Sequence, residues 1–207
     1  MAFTGFTAED FEVFDIPGLE PRMDALISRV RPKLTELGSE LAPLLSALCG
    51  EEMFPHVAKH ARRTVHAPQD TWVAWGPNKR GYKALPHFQV GMFNSHLFIV
   101  FAIIYESENK LVFANALTNH ISDIRKKLPG KFFWSTDHLD PRGTPHSDMS
   151  NEQFAELSRK LTQVKKGEVT CGLRLDKDDL ILKDGEGLLN VIQETFETLL
   201  PLYRMSF

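Results

Sequence analysis

Three strand-like runs follow one another through the middle of this chain: Thr71 to Trp75, His87 to Phe93 and His96 to Tyr105. All are rich in β-branched and aromatic residues, the side chains that suit a pleated surface. Asn94-Ser95 separates the last two by a turn's length, which reads as a hairpin. Further strand-like runs occur at Lys131 to Thr136 and Glu168 to Leu175, each preceded by a helical pattern. Three strands in succession, then helix, strand, helix, strand, helix, is not the alternation of a doubly wound parallel sheet. The order predicts an α+β fold: a two-layer arrangement with a predominantly antiparallel or mixed sheet of about five strands and packed amphipathic helices.

The helices are read from periodicity. Thr7 with Asp10 three residues on signals a short helix start, cut off at Pro17-Gly18. Met23, Ile27, Val30, Leu34, Leu37, Leu41, Leu44 and Leu48 alternate spacings of four and three, one face of a helix. Pro32, Gly38 and Pro43 interrupt that stretch, so it predicts two helices or one kinked helix that stops at Gly50. A short helix is expected around His56 to Arg62, a longer one from about Asn109 to Leu128, and another after Ser150 and Gln153, which form a capping box. Leu188 to Tyr203 carries the last amphipathic pattern. No repeat or linker divides the order, so residues 1–207 are expected to form a single domain.

Composition narrows the class. A chain of 207 residues with 43% hydrophobic and 25% charged residues is ordinary for a globular protein and large enough for a substantial core. The longest apolar run, Leu97 to Tyr105, is far shorter than the ~20 residues of a spanning helix, so no membrane association is expected. The N-terminus lacks a basic segment followed by an apolar one, which points to the cytoplasm. Cys49 and Cys171 stand far apart with no Cys-x-x-Cys pair, against a zinc ribbon, a redox motif or a disulfide framework. Charge is uneven: Phe54 to Tyr105 carries six Lys or Arg against Asp70 alone, in a chain whose net charge is -3. Such asymmetry points to an anionic partner, although a solvated basic face explains it as simply.

The blocks Phe54-Pro-His-Val-Ala-Lys-His-Ala-Arg-Arg-Thr-Val-His66, Asp70-Thr-Trp-Val-Ala-Trp75, Asn78-Lys-Arg-Gly-Tyr-Lys83 and Leu85-Pro-His-Phe-Gln89 are specific in composition and order. Together with Phe11-x-x-Phe-Asp-Ile-Pro-Gly-Leu-Glu20, they resemble the YktB-like family of Gram-positive bacterial proteins, uncharacterised protein family 0637, over nearly the whole chain. The resemblance implies a compact α+β fold and a bacterial cytoplasmic setting. It implies no activity, cofactor or catalytic residue.

Function is therefore sought in the side chains. Lys59, Arg62 and Arg63 form one basic cluster, and Lys79, Arg80 and Lys83 form another in a Gly/Pro/Asn turn. Arginine forks match phosphate oxygens, and Trp72, Trp75, Tyr82 and Phe88 can offer stacking faces to bases. This predicts non-catalytic binding of a phosphate-bearing ligand, nucleic acid or nucleotide, by Lys59, Arg62, Arg63, Trp75, Lys79, Arg80, Tyr82 and Lys83. The plainer alternative buries the aromatics and leaves the cations in water. Gly76 to Lys83 lacks the Gly-Lys-Ser/Thr ending of a P-loop.

His56 and His60, four apart, share a face if helical, and His66 or His87 can complete a metal set for a His-dependent hydrolase. The zinc-protease glutamate is missing, because Val57 follows His56. The stretch Thr136 to Asp148 gathers two histidines and three aspartates able to exchange protons or hold a cation, or simply to form turns. Neither cysteine has an activator: Cys49 falls at a helix C-terminus and Cys171 in an apolar strand. A third reading assigns the leucine-bearing helices to partner contacts.

Overall fold

The computed structural model describes residues 3–207. Asp10 lies at its first helix, α1 (Ala8–Glu12), where the carboxylate accepts from the Thr7 backbone N–H at 2.7 Å and closes the predicted capping box. The leucine-bearing stretch is one kinked rod. Helix α2 (Leu19–Ala25) runs through a π-helical turn at Leu26–Val30 into α3 (Arg31–Cys49). Pro32 stands in the first turn of α3, and a proline ring crowds the backbone one turn earlier, where the wider π turn gives it room. Gly50 ends the rod in the left-handed conformation (φ 77°) that glycine adopts without strain.

Seven strands, two more than the expected five, form one sheet in the order β1-β2-β3-β4-β7-β5-β6, with every neighbouring pair antiparallel. They are β1 (Phe54–Val57), β2 (Asp70–Gly76), β3 (His87–Phe93), β4 (His96–Ile103), β5 (Phe133–Ser135), β6 (Thr144–Pro145) and β7 (Val169–Asp176). The two unexpected strands lie at the sheet's edges, are two to four residues long and contain Pro55 and Pro145. Proline cannot donate to a ladder, so it hides an edge strand from a pattern reading while blunting that edge. Strand β1 also replaces the helix expected around His56 to Arg62.

Helices α4 (Lys110–Asn119) and α5 (Ile121–Lys127) correct the continuous helix expected to Leu128. His120 leaves helical geometry at φ -115°, and its carbonyl accepts from both Asp123 and Ile124, starting a new helix. Helix α6 (Asn151–Gln163) begins at the predicted Ser150–Gln153 capping box, and α7 (Gly185–Arg204) completes the chain.

Alternation along the strands sends Val73, Trp75, Phe88, Val90, Ile99, Phe101, Cys171 and Leu173 to one side. There they join Leu34, Leu41, Phe113, Phe154, Ile192 and Phe196 of the helices in one apolar core. Trp72, Phe93, Phe98, Val100 and Phe133 face the other side and form a second cluster to which no helix contributes. This face is the exceptional one. Row by row it carries Trp72–Gly91–Phe98–Arg174 and Ala74–Gln89–Val100–Gly172–Phe133. At Gly91 the backbone and the Phe98 ring come too close for a side chain, since a Cβ there would stand 2.6 Å from the Thr71 carbonyl oxygen. Gly91→Ala is expected to lower the urea midpoint by the equivalent of about 1–3 kcal/mol, the usual cost of forcing extra volume into a packed site.

Candidate functional site

The cations singled out in the sequence do not converge. Lys59, Arg62 and Arg63 are exposed in the loop between β1 and β2, and the Arg63 side chain donates to the nearby His66 carbonyl. Lys79 and Arg80 are exposed in the turn before β3. Arg80 and Lys83 share an open groove of about 480 Å³ with His56, Tyr82 and Glu106, and Lys83 is ion-paired with Glu106 at 3.4 Å. Trp75 is 0% exposed and donates its indole N–H to the Gly38 carbonyl at 2.9 Å, so it fixes α3 to the sheet and offers no stacking face. Tyr82 is buried, its hydroxyl accepting from the Trp72 indole at 2.8 Å.

The expected histidine set does not form either. Because Phe54–Val57 is a strand, His56 and His60 share no helical face. His56 Nε2 contacts the Asn78 carbonyl and His60 Nε2 the Thr71 hydroxyl. His87 is fully buried: Nδ1–H donates to the Leu85 carbonyl at 2.8 Å, and Nε2 accepts from the Gln89 amide at 2.8 Å. Burial holds His60 and His87 down to about 4, so both rings are neutral at pH 7. His146 is turned into the core, accepting from the Trp134 indole. Burial, with Glu51 next, raises Cys49 to about 12, and burial alone lifts Cys171, so neither offers a thiolate.

What does converge lies on the helix-free face. A hollow there is walled by Phe93, Phe98, Val100 and Phe133, with Gln89, His96, Thr170 and Arg174 supplying polar groups. The loop after β5 covers it, bringing Ser135, Asp137, His138 and Asp140 to its rim. Arg174 lies flat on Phe133, its guanidinium carbon 3.7 Å from the ring centre. Among the described residues its side chain makes no hydrogen bond or ion pair, and its Nε is buried without a partner. Asp140, the covering-loop carboxylate whose charge reaches Arg174, is already held by Arg142 through Nε and Nη2, at 2.9 and 2.6 Å. Burial lowers Arg174 to about 10, which leaves it a cation at neutral pH.

His96, 8% exposed, likewise has a buried Nε2 with no partner, while its Nδ1 meets the Ser95 hydroxyl at 2.8 Å. Burial and the Arg174 charge hold His96 down to about 4. When Ser95 donates to Nδ1, Nε2 carries the proton and presents a donor. Buried polar atoms in native proteins are paired as a rule, so two orphaned nitrogens in one hollow mark a place built for a ligand or for water.

Beside the hollow stands a second polar group. Glu168, buried at the start of β7, accepts from both the backbone N–H and Nδ1 of His138 at 2.8 Å. Burial opposes a charged His138, but the Glu168, Asp70 and Asp137 carboxylates outweigh it and raise its pKa. The pair orients an imidazole whose other nitrogen has no partner among the described residues, an arrangement able to exchange a proton. Asp137 and His138 come from the loop whose acids and histidines stood out in the sequence. Glu168, His96, Gln89 and Arg174 did not stand out. For Gln89 and Arg174 the signal is period-two: His87-x-Gln89 and Thr170-x-Gly172-x-Arg174 put a polar residue or glycine at every second position between apolar ones, stretches that include neither His96 nor Glu168.

Asp70 faces the same region from β2. It is 3% exposed, and burial raises it to about 6, with His138 and Arg63 pulling the other way. The folded protein thus holds this proton more tightly than the unfolded chain. Its stabilising contribution is full below about pH 4 and is lost as pH rises through about 6. Asp70→Asn is expected to be more stable than the parent by about 1–3 kcal/mol at pH 7.5 and nearly unchanged at pH 4, read from denaturation midpoints at the two pH values.

The whole chain has close counterparts. It is 51% identical over 201 residues to a UPF0637 protein of Bacillus velezensis, covering 97% of this chain and 96% of that one. It is 48% identical over 206 residues to a UPF0637 protein of Bacillus licheniformis, covering 100% and 98%. A UPF0637 protein of Bacillus mycoides is 42% identical over 205 residues, 99% of each chain. The family model described as domain of unknown function DUF1054 matches residues 6–203, a span that includes the hollow, Arg174 and the His138–Glu168 pair, and the chain belongs to that family.

Proposed function

We propose that this protein binds a small anionic molecule, a carboxylate or a phosphate ester, on the helix-free face of its sheet. The observation that carries this reading is Arg174, a half-buried cation stacked on Phe133 with no anion of its own. A charge-assisted hydrogen bond to a ligand oxygen supplies what the protein leaves unpaired, and His96 Nε2 stands ready for a second. Phe93, Phe98 and Val100 exclude water around the contact, which strengthens it relative to a surface ion pair.

The hollow's size sets the ligand's class. About 20 Å³ of it is open to the centre of a water-sized sphere, room for one small polar group. A groove of about 450 Å³ shares Ser135, Asp137 and Asp140 with it and extends to Gln153, Glu156 and Lys160, room for the rest of a small molecule. A nucleotide or smaller anion suits these dimensions better than a polynucleotide, and the dispersed cations from Lys59 to Lys83 add no continuous track along which a strand could run.

The test is calorimetric titration of the full chain, in phosphate-free buffer at low salt, with citrate, benzoate, inorganic phosphate and adenosine monophosphate. At least one is expected to bind at a single site. Arg174→Gln is expected to weaken it 10- to 100-fold, the worth of one charge-assisted bond, while Arg80→Gln leaves it unchanged. Binding lost in Arg80→Gln and kept in Arg174→Gln would return the site to the basic turn, and no binding by any of the four would overturn the reading.

A further inference from the structure

Asp137, His138 and Glu168 each bring one donor atom to a common point, and the three atoms lie within 4.8 Å of one another. His138 Nδ1 and Glu168 Oε1 are 2.8 Å apart. Donors held 2.0–2.2 Å from a cation, at right angles to each other, stand about 3 Å apart, so this pair already has the spacing of neighbouring ligands. Asp137 is exposed on the covering loop, and its Oδ1 accepts from the Leu139 backbone N–H at 2.9 Å.

Charge points the same way. None of Asp70, Asp137 and Glu168 forms an ion pair with a lysine or arginine among the described residues. Asp70 is 3% exposed, is hydrogen-bonded by its own backbone, and lies within electrostatic reach of both His138 and Arg63. Three carboxylates act on the His138 imidazole, and with Arg63 reaching Asp70 the negative charge around the ring still outweighs the positive, an imbalance that a bound cation offsets. A purely structural role for Glu168, tying the covering loop to β7, accounts for its bonds to His138 and does not account for the convergence of Asp137 on the same point.

We propose that Asp137, His138 and Glu168 form a binding site for one divalent first-row transition-metal ion, which takes the place of the proton between His138 Nδ1 and Glu168 Oε1. One nitrogen and two carboxylate oxygens suit manganese, iron, cobalt or zinc and disfavour soft ions that need sulfur. From the imidazolium form the Nδ1 proton leaves for solvent, and the neutral ring, with its one remaining hydrogen on Nε2, binds the ion through Nδ1. With only three protein donors, the ion retains open positions, as catalytic metals do. Because Asp137 and His138 also line the hollow, those positions face the space beside Arg174. The proposal stands on these donors alone and does not depend on anion binding.

The experiment uses the full chain stripped with chelator and titrated with Mn²⁺, Co²⁺ and Zn²⁺ in HEPES, without any organic anion. Expected are one ion per chain, a rise in Tm with each ion that binds, and visible Co²⁺ absorption of a site with nitrogen and oxygen ligands. Asp137→Asn, at an exposed position, is expected to fold normally and to bind at least tenfold more weakly, Glu168→Gln likewise, and a His56→Ala, His60→Ala double variant like the parent. Manganese should broaden the NMR signals of Thr170 and His138 before those of His56. No stoichiometric binding of any of the three ions, or equal affinity in the parent, Asp137→Asn and Glu168→Gln, would overturn the site.

Discussion

A sheet of antiparallel strands with helices against one face still has a second face, and the molecule's most unusual features follow from how that face is closed. The helical layer absorbs Trp75, Phe88, Phe101 and their neighbours into one core. Opposite it, Phe93, Phe98, Val100 and Phe133 are buried as well, with no helix to cover them. Phe98 folds over the bare backbone of Gly91, and the loop after β5 lies across what remains. Loops carry backbone polar groups that must be satisfied, so a loop covering a face brings polar side chains with it. Glu168 meets that need for His138, and Asp140 and Arg142 meet each other's. Arg174 and His96 are left with donors that the protein does not use.

Those unused groups carry a cost to stability. A cation under a loop without a counter-ion, and a buried carboxylate raised to about 6, both oppose folding at neutral pH. Proteins keep such arrangements where function requires them, and perturbed ionisable groups gathered beside a hollow are a physical signature of such places. The large apolar core on the other face, with α3 against β1 and β2, supplies the stability that this cost draws on.

Much of the fold was legible in the sequence because it rests on periodicity. The kinked rod, the β3–β4 hairpin at Asn94-Ser95 and both capping boxes are local and carry their own chemical signals. The edge strands β1 and β6 were not legible, since a few residues with a proline look like loop until a neighbour pairs with them. Trp75 misled for a related reason: its indole satisfies a helix carbonyl thirty-seven positions away, a contact no local pattern reports. The charge excess from Phe54 to Tyr105 was real as composition yet spread over separate loops. Half of the site, Asp137 and His138, lay in a loop already conspicuous for acids and histidines. The other half, Arg174 and Glu168, depends on which face of β7 each position takes once β7 has paired between β4 and β5.

The central claim is that the helix-free face, with Arg174 at its centre, is where this protein meets its ligand. Its most direct test is an NMR titration of the isotopically labelled full chain with each of the small anions in turn, following every backbone amide. Shifts concentrated at His96, Phe133 to His138 and Thr170 to Arg174 are the expected result. Shifts confined to Lys59 to Lys83, with those strands silent, would contradict the account.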